Sequence, residues 1–296
     1  MLASLRLLRS ASPLLASSSS SSLSSLSSSL TSSFSTSAEA PVVLRRDAER
    51  QIAHVDFARP SLSLEVLRGL KEVLDEVKGD KEIRGVVLGS TSTAIFNAGL
   101  DISEFLQEEE RLRAFWGSLQ DAVLALYNLP KPTVAAIVGH APAGGCAMAM
   151  ATDYRVMSAG LGRIGLNETQ LGIVAPYWFG DLMVRTVGHR QAELHLGLGS
   201  LLSPEDALAI NLVDEIIEAD KVREKAVEVL AKLIAVPAGP YAASKATLRT
   251  PVMAGLAANK EADIDNFVTV IRDPRVQQGL KMAVEALKNK NKKSKM

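Results

Sequence analysis

The sequence has a single cysteine, Cys146, among its 296 residues. One thiol excludes an internal disulfide framework and a zinc site built from cysteines. The four histidines are scattered, and none has the spacing of a metalloprotease motif. Lysine plus arginine equals aspartate plus glutamate, 33 against 33, so no overall field attracts nucleic acid or an anionic membrane. No uninterrupted apolar stretch reaches the roughly 20 residues of a transmembrane helix, so we expect no integral membrane segment. The hydrophobic content of 47% instead predicts a large buried core.

The amino terminus differs in composition from the rest of the chain. Residues 1–40 are rich in serine and leucine, contain Arg6 and Arg9, and have no acidic residue before Glu39. This composition predicts a disordered transit peptide that directs the protein to the mitochondrial matrix; the alternative is a plain serine-rich tail. The last three residues, Ser294-Lys295-Met296, are a near variant of a peroxisomal signal, which leaves the peroxisome as an alternative location.

Hydrophobic periodicity divides the remaining chain into two regions. Apolar runs predict strands at 51–58, 83–90, 132–139, 154–159 and 212–217, and helical spacing predicts helices at 61–80, 103–128 and 143–153. From Lys221 onward every segment has a helical pattern. The sequence therefore predicts an α/β core domain at 41–220, followed by a helical region at 221–296.

Three segments have the residue types of a catalytic site. FNAGLDISEF (96–105) and GHAPAGGCAMAM (139–150) each follow an apolar strand, turn on glycine and enter a helix. Backbone N–H groups at such a helix start have no internal acceptor, and two facing turns could hold one anionic oxygen. Each turn alone is equally typical of an ordinary strand-to-helix connection. The third segment, IGLNETQLGI (164–173), places the carboxylate of Glu168 among apolar residues, although a solvated loop residue or helix cap remains the alternative.

Other candidate motifs fail. GLGRIG (160–165) matches a dinucleotide-binding pattern by letter, but no helix opener and no suitably spaced acidic residue follow it. The sequence has no P-loop and no nucleophile elbow. His140 beside the glycine pair is more typical of a structural hydrogen-bonding residue than of a base. Cys146, flanked by glycine and alanine, is more typical of a buried, inert thiol than of a nucleophile.

Together, the three segments resemble the crotonase (enoyl-CoA hydratase/isomerase) superfamily, and the third segment resembles its 3,2-trans-enoyl-CoA isomerase branch. The resemblance extends from about residue 42 to residue 290 and implies a spiral of β-β-α units. It implies that the N–H groups of Leu100 and Gly144 form an oxyanion hole and that Glu168 is the catalytic base. It also implies that a stretch of the first turn lines the CoA thioester and that Asn167 lies beside the reacting carbons of the acyl chain; the residues of this stretch are Ala98, Gly99, Leu100, Asp101 and Ile102.

The resemblance implies a reaction as well as a fold. In the hydratases a second glutamate lies four residues into the helix opened by GGC, and here that position is Ala147. A single carboxylate is sufficient to shift a 3-cis or 3-trans double bond to 2-trans in a fatty enoyl-CoA, the isomerase reaction of β-oxidation. We expect no cofactor and no metal, because CoA is part of the substrate, and the resemblance of the helical tail implies a homotrimer. ARPSLSLEV (58–66) is a few residues shorter than the corresponding turn in relatives, which makes the CoA contacts the least certain.

Two alternatives remain from the sequence. The enzymatic one is a 2-enoyl-CoA hydratase or another acyl-CoA enzyme of the same superfamily. The non-enzymatic one is an RNA-binding protein of the same fold that uses a basic helix. The candidate helix for that role, KEVLDEVKGDKEIR (71–84), alternates acids with bases, which disfavours nucleic acid as a partner.

Overall fold

A computed structural model describes residues 40–293. Nearly all of the predicted transit peptide, and the carboxyl-terminal Ser-Lys-Met, lie outside the described residues. The strands are β1 (Val42–Asp47), β2 (Ile52–Phe57), β3 (Gly85–Ser90), β4 (Thr133–Ile137), β5 (Ala141–Pro142), β6 (Tyr154–Ser158), β7 (Ile164–Gly165) and β8 (Glu215–Ile217). The helices are α1 (Leu64–Gly79), α2 (Glu109–Tyr127), α3 (Gly144–Met150), α4 (Tyr177–Val187), α5 (His189–Leu198), α6 (Pro204–Ala209), α7 (Val222–Ile234), α8 (Ala238–Ala258), α9 (Lys260–Ile271) and α10 (Pro274–Lys293).

The main sheet has six strands in the order β1-β2-β3-β4-β6-β8. β1 runs antiparallel to β2, with Val42 opposite Phe57, and every other neighbouring pair is parallel. β5 and β7 form a separate parallel pair. The five predicted strands all form. Four of them, β2, β3, β4 and β6, have the largely buried apolar runs that parallel strands require, whereas β8 at the edge is only partly buried. β1 was not predicted, since its sequence VVLRRD ends in charged residues that this edge strand leaves largely exposed.

Helices cover both faces of the sheet, and alternate residues of each strand face opposite sides. On β3, Val86 and Leu88 join the main core with α1 and α2. Val87 points the other way and packs in a second cluster, which contains Val222 and Leu230 of α7. The predicted α/β architecture is therefore confirmed. The predicted division at residue 220 stays a prediction, although α7, which follows it, forms one layer of the core.

The predicted helix at 103–128 is wrong in its first part. A 3₁₀ turn at Ile102–Leu106 precedes α2, and the backbone is extended at Gln107 and Glu108. The buried side chain of Glu104 explains the break, because it accepts a hydrogen bond from the Leu64 N–H (3.1 Å) and two from Arg111. The turn is held by these distant partners, which local helical periodicity does not contain.

The helices predicted after Lys221 are present as α7 to α10. Among the described residues no single helix is long and apolar enough to cross a bilayer; one pair of helices passes that test jointly but is bent by 102°.

Candidate active site

Glu168 is a buried carboxyl group at the start of a 3₁₀ turn, Glu168–Leu171, which follows β7. Its side chain lies among apolar neighbours, and the residue is only 7% exposed. In the described part of the chain its Oε2 atom has no hydrogen-bond partner. Burial raises the pKa of Glu168 to about 7, because the ionised form is poorly solvated there, and a hydrogen bond from its own backbone N–H offsets only part of this effect.

The turn that contains Leu100 is fixed by hydrogen bonds to Leu62 and to the side chain of Asn97. Leu62 forms a parallel β-bridge with Leu100: its N–H donates to the Gly99 carbonyl (2.8 Å), and its carbonyl accepts from the Asp101 N–H (3.1 Å). In this pairing the N–H of Leu100 itself points away from Leu62. Gly99 has a φ of +86°, a conformation that glycine adopts without strain. The Asn97 side chain accepts from the Gly99 N–H (2.9 Å). Within residues 40–293 the Leu100 N–H has no acceptor.

The second turn contains a strained alanine. Ala143 precedes α3 with φ +49° and ψ −123°, a conformation that costs a non-glycine residue on the order of 1–3 kcal/mol. Its N–H donates to the Gly165 carbonyl (2.8 Å), which ties the turn to β7. Gly144 is the first residue of α3, so its N–H has no partner within the helix. The strained backbone thus sets the direction of this amide at the helix start.

The two turns are adjacent. A Cβ atom placed on Gly99 would lie 3.1 Å from the Gly144 nitrogen, and one placed on Gly144 would lie 3.3 Å from Leu100 Cδ2. A Cβ on Gly145 would lie only 2.1 Å from the Asn97 carbonyl oxygen. Glycine at positions 99 and 145 is therefore required by close backbone approach, whereas a side chain at 144 would meet only the ends of leucine side chains. The approach brings the backbones of the two turns into contact.

A mostly apolar cavity of about 370 Å³ joins Glu168 to the first turn, and we call it the Glu168 cavity. Leu100 and Glu168 both border it. The remaining lining residues come from the 3₁₀ turn before α2, from α2, from the segment before α4, and from α9; they are Phe105, Trp116, Ile173, Val174, Ala175, Pro176, Tyr177, Asp263, Asn266, Phe267, Val270 and Ile271. The helical region thus closes a cavity that the core domain begins.

The other predicted site residues do not border the Glu168 cavity. Ala98 is held by a hydrogen bond from its N–H to the Pro60 carbonyl (2.6 Å), and Asn167 is the cap residue before Glu168. Asp101 accepts from the N–H and the hydroxyl of Ser103 and so caps the 3₁₀ turn. Asp101 also borders a separate, polar cavity of about 510 Å³. The roles of Ala98, Gly99, Asp101, Ile102, Gly144 and Asn167 in binding stay predictions.

The structure also locates His140 and Cys146, the two residues that the sequence disfavours as base and nucleophile. His140 is exposed, and its backbone carbonyl accepts from the N–H groups of Phe96 and Asn97, which fastens the first turn to the second. Cys146 is fully buried, and burial together with the nearby Glu168 raises the pKa of its thiol far above the usual range. The position of Cys146 agrees with the buried thiol that was predicted. Among the described residues the imidazole of His140 makes no hydrogen bond, so its structural contact comes from the backbone alone.

Comparison with known proteins identifies the family. A family model described as enoyl-CoA hydratase/isomerase matches residues 47–294. The mouse protein named mitochondrial enoyl-CoA delta isomerase 1 is 43% identical over 258 residues, which cover 86% of this chain and 89% of that protein. The human protein of the same name is 38% identical over 252 residues, or 83% of each chain. The chain belongs to the enoyl-CoA hydratase/isomerase family.

Solved structures of this family have the same fold. The crystal structure of human mitochondrial delta3-delta2-enoyl-CoA isomerase matches with a TM-score of 0.83 at 37% identity, and it covers 84% of this chain and 99% of its own. The structure of enoyl-CoA hydratase from Bacillus halodurans matches with a TM-score of 0.74 at 24% identity, covering 82% of this chain and 99% of its own, and shows the fold alone. The resemblance and the crotonase-like fold predicted from the sequence are confirmed.

Three features of this site were not predicted from the sequence. Asn97 lies inside the quoted motif, but nothing local indicates that its side chain bonds the Gly99 N–H. The strain at Ala143 has no signal in the sequence. Asp263 and Phe267 border the Glu168 cavity from α9, almost 100 residues after Glu168, and a helical pattern does not reveal which buried cavity a helix closes.

Proposed function

We propose that the protein is an enoyl-CoA delta isomerase, which shifts a 3-cis or 3-trans double bond of a fatty enoyl-CoA to 2-trans during β-oxidation of unsaturated fatty acids. The names and the 38–43% identity of the mouse and human relatives support this activity. The observation on which the proposal depends is a single buried carboxyl, Glu168, that borders one apolar cavity together with Leu100.

The chemistry requires one base and no added water. A thioester acidifies the adjacent carbon 2, because the carbanion is delocalised onto the carbonyl oxygen as an enolate. With a double bond at carbon 3, the negative charge also reaches carbon 4. Glu168 removes the proton from carbon 2 and returns it to carbon 4, so that the double bond becomes conjugated with the thioester and the carboxylate is regenerated.

The surroundings of Glu168 suit this role. Burial raises its pKa to about 7, so the carboxylate is a stronger base than an exposed glutamate and is still ionised in part at neutral pH. In the proposed mechanism the enolate oxygen lies between the N–H groups of Leu100 and Gly144. Loss of one such donor typically costs about 3–4 kcal/mol of transition-state stabilisation. The protein needs no cofactor of its own for these steps.

Hydration of the double bond is the competing activity. A hydratase of this family would need a second glutamate, and the corresponding position is Ala147, which is fully buried in α3. Asp263 also borders the Glu168 cavity, but one of its oxygens already accepts three hydrogen bonds from protein donors. That oxygen is occupied by protein donors and is not free to bind and activate a water molecule.

We also propose a cellular location and an oligomeric state for the protein. The composition of residues 1–40 and the names of the mitochondrial relatives support import into the mitochondrial matrix. The Ser-Lys-Met terminus keeps the peroxisome as the alternative. The family resemblance of the helical tail supports a homotrimer. The polar cavity beside Asp101 is the place that we propose for the polar part of CoA.

Replacing Glu168 with Gln tests the function and the base together. The wild type should convert a 3-enoyl-CoA to its conjugated isomer and should hydrate a 2-enoyl-CoA far more slowly. Glu168→Gln should lower kcat for isomerisation by at least about 100-fold, because the amide cannot accept the proton. The affinity for a saturated acyl-CoA, measured by calorimetry, should stay close to that of the wild type.

Two further results sharpen this test. The kcat/KM of the wild type should rise with pH through about 7, since only ionised Glu168 is a base. Glu193→Gln, which changes an exposed carboxyl paired with Arg190, should leave both the rate and the pH profile unchanged. Full activity in Glu168→Gln would refute the assignment of the base, and rapid hydration by the wild type would favour a hydratase.

A further inference from the structure

Both tryptophans of the sequence donate to one carboxylate oxygen. Trp116 Nε1 in α2 lies 2.8 Å from Asp263 Oδ2, and Trp178 Nε1 in α4 lies 3.3 Å from the same atom. Gln120 Nε2, also in α2, donates to it at 2.7 Å. Three helices that are far apart in the sequence therefore meet at the side chain of Asp263 in α9, and we call these four residues the Asp263 cluster.

The cluster fixes the position of two large rings. Trp178 is fully buried and Trp116 is 5% exposed, so neither indole N–H can exchange Asp263 for bulk water. Without Asp263, two buried indole donors would lose their shared acceptor, at a cost of about 1–3 kcal/mol for each unsatisfied group. Asp263 is thus the group that holds the indole of Trp116 in a single position.

The ring of Trp116 forms part of the inner wall of the Glu168 cavity. It stacks on Phe267 with centroids 3.6 Å apart and an angle of 8° between the planes, and Phe105 packs edge-on against Phe267 at 5.6 Å. All three aromatic residues are less than 10% exposed. At the opposite extreme, the cavity-lining residues Val174 and Tyr177 are 85% and 51% exposed, so they mark the mouth of the cavity.

We propose that Asp263 is a specificity-determining residue, which limits the length of the acyl chain by holding Trp116 as the inner wall of the Glu168 cavity. This inference rests on the proposed function, because it takes the acyl chain of the substrate to lie in that cavity. A fixed wall discriminates sharply, since a methylene that fits or fails to fit an apolar pocket changes selectivity by about 10–200-fold. A wall that can rotate away admits the longer chain and discriminates less.

Two substitutions at Asp263 separate its hydrogen bonds from its shape. All three donors point to one oxygen, so Asp263→Asn can keep an acceptor at that place, whereas Asp263→Ala removes it. The probes are saturated acyl-CoA esters of increasing chain length, which bind without reacting, and their affinity is measured by calorimetry. The kcat/KM of the wild type and the variants is then measured for 3-enoyl-CoA esters of the same lengths.

We expect wild type and Asp263→Asn to bind the saturated esters more tightly as the acyl chain lengthens, up to one limiting length that both proteins share. Beyond this length their affinity should fall. In Asp263→Ala the limiting length should move to longer chains. The loss of affinity for esters longer than the wild-type limit should be smaller than in wild type by at least about 10-fold. The tryptophan emission should change in Asp263→Ala, because both indoles of the protein lose the same acceptor. Trp116→Phe, which removes one donor and makes the wall smaller, should also admit longer chains.

Each outcome decides the inference. If Asp263→Ala folds, changes its emission and keeps the wild-type length limit, the inference is overturned. If Asp263→Ala does not fold, the length limit in Trp116→Phe decides in the same way. The proposed function fails separately, if the wild type does not isomerise any 3-enoyl-CoA. The binding of the saturated esters would still test the wall in that case.

Discussion

At the scale of single residues, the property that matters most is the burial of one carboxyl group. Among residues 40–293 no cation affects Glu168, and burial is what raises its pKa to about 7. The same burial that makes the carboxylate a better base makes its ionised form costly to the folded state. Base strength and stability are therefore opposed at this position, as is common at active sites.

This opposition has a measurable consequence for stability. The pKa of Glu168 rises from 4.5 to about 7 on folding, so below pH 4.5 the carboxyl is neutral in both states and costs nothing. Between pH 4.5 and 7 the unfolded chain ionises first, and the free energy of unfolding falls by about 3 kcal/mol. Glu168→Gln cannot ionise, so we expect it to be more stable than the wild type by about this amount near pH 8 and by much less near pH 5.

Urea denaturation of both proteins at the two pH values measures the difference. Glu193→Gln, at an exposed site, should show no such pH-dependent gain. A stability difference that is the same at both pH values would mean that Glu168 is not ionised by pH 8 or is not buried in solution.

At the scale of elements, two neighbouring glycines in α3 have different tasks. A Cβ on Gly144 would meet the ends of two flexible side chains, Leu62 Cδ1 at 3.1 Å and Leu100 Cδ2 at 3.3 Å. A Cβ on Gly145 would meet the backbone of the first turn, 2.1 Å from the Asn97 carbonyl oxygen. The second contact allows no local adjustment, so Gly145 determines how closely the two turns approach.

The pair predicts unequal effects for the same substitution. Gly145→Ala should destabilise the fold by about 3 kcal/mol or more, because the turn at Asn97 must move. Gly144→Ala should cost about 1 kcal/mol or less, since side-chain ends can shift and alanine favours a helix. Thermal unfolding of the two variants gives the comparison, and similar losses of Tm in both would contradict the close backbone contact.

At the scale of the whole molecule, a buried ion cluster joins the helical region to the core. Asp153, between α3 and β6, accepts from Lys245 Nζ at 2.8 Å and from Arg249 at 2.7 Å, and both cations belong to α8. It also accepts from the Thr133 N–H at 2.7 Å. The Lys245 side chain is only 6% exposed, and its burial lowers its pKa to about 8. Both cations also donate to backbone carbonyls of the core, but Asp153 is the acidic side chain that pairs with both of them.

Removing that acid should be costly. Asp153→Asn leaves two largely buried cations without a counter-charge, and we expect a loss of about 3–5 kcal/mol in the free energy of unfolding. Glu228→Gln is the matched control, because Glu228 also pairs with two cations, Lys225 and Lys232, but is half exposed. The control should lose about 1 kcal/mol or less. Equal losses in a denaturant titration would mean that the cluster does not hold α8.

Features that depend on local patterns could be predicted from the sequence, and features that depend on contacts between distant residues could not. The parallel strands of the main sheet and the helices after Lys221 were predicted, because each is a local pattern of apolar residues, whereas the short pair β5 and β7 was not. The strand β1 was missed, since half of its side chains are charged. The helix at 103–128 was placed too early, since Glu104 is held by Leu64 and Arg111. Asp263 was missed because its partners lie 85 to 147 residues away.

The sequence by itself determined the chemistry that is available: one glutamate in an apolar run, alanine at position 147, and two glycine turns that follow buried strands. The tertiary structure alone decided that Leu100 and Glu168 border one cavity, that the backbone of Asn97 lies against Gly145, and that α9 closes the inner wall through Asp263. The reason is physical. Residue types and turn conformations are encoded locally, whereas the desolvation that raises the pKa of Glu168 is produced by side chains brought together only when the whole chain folds.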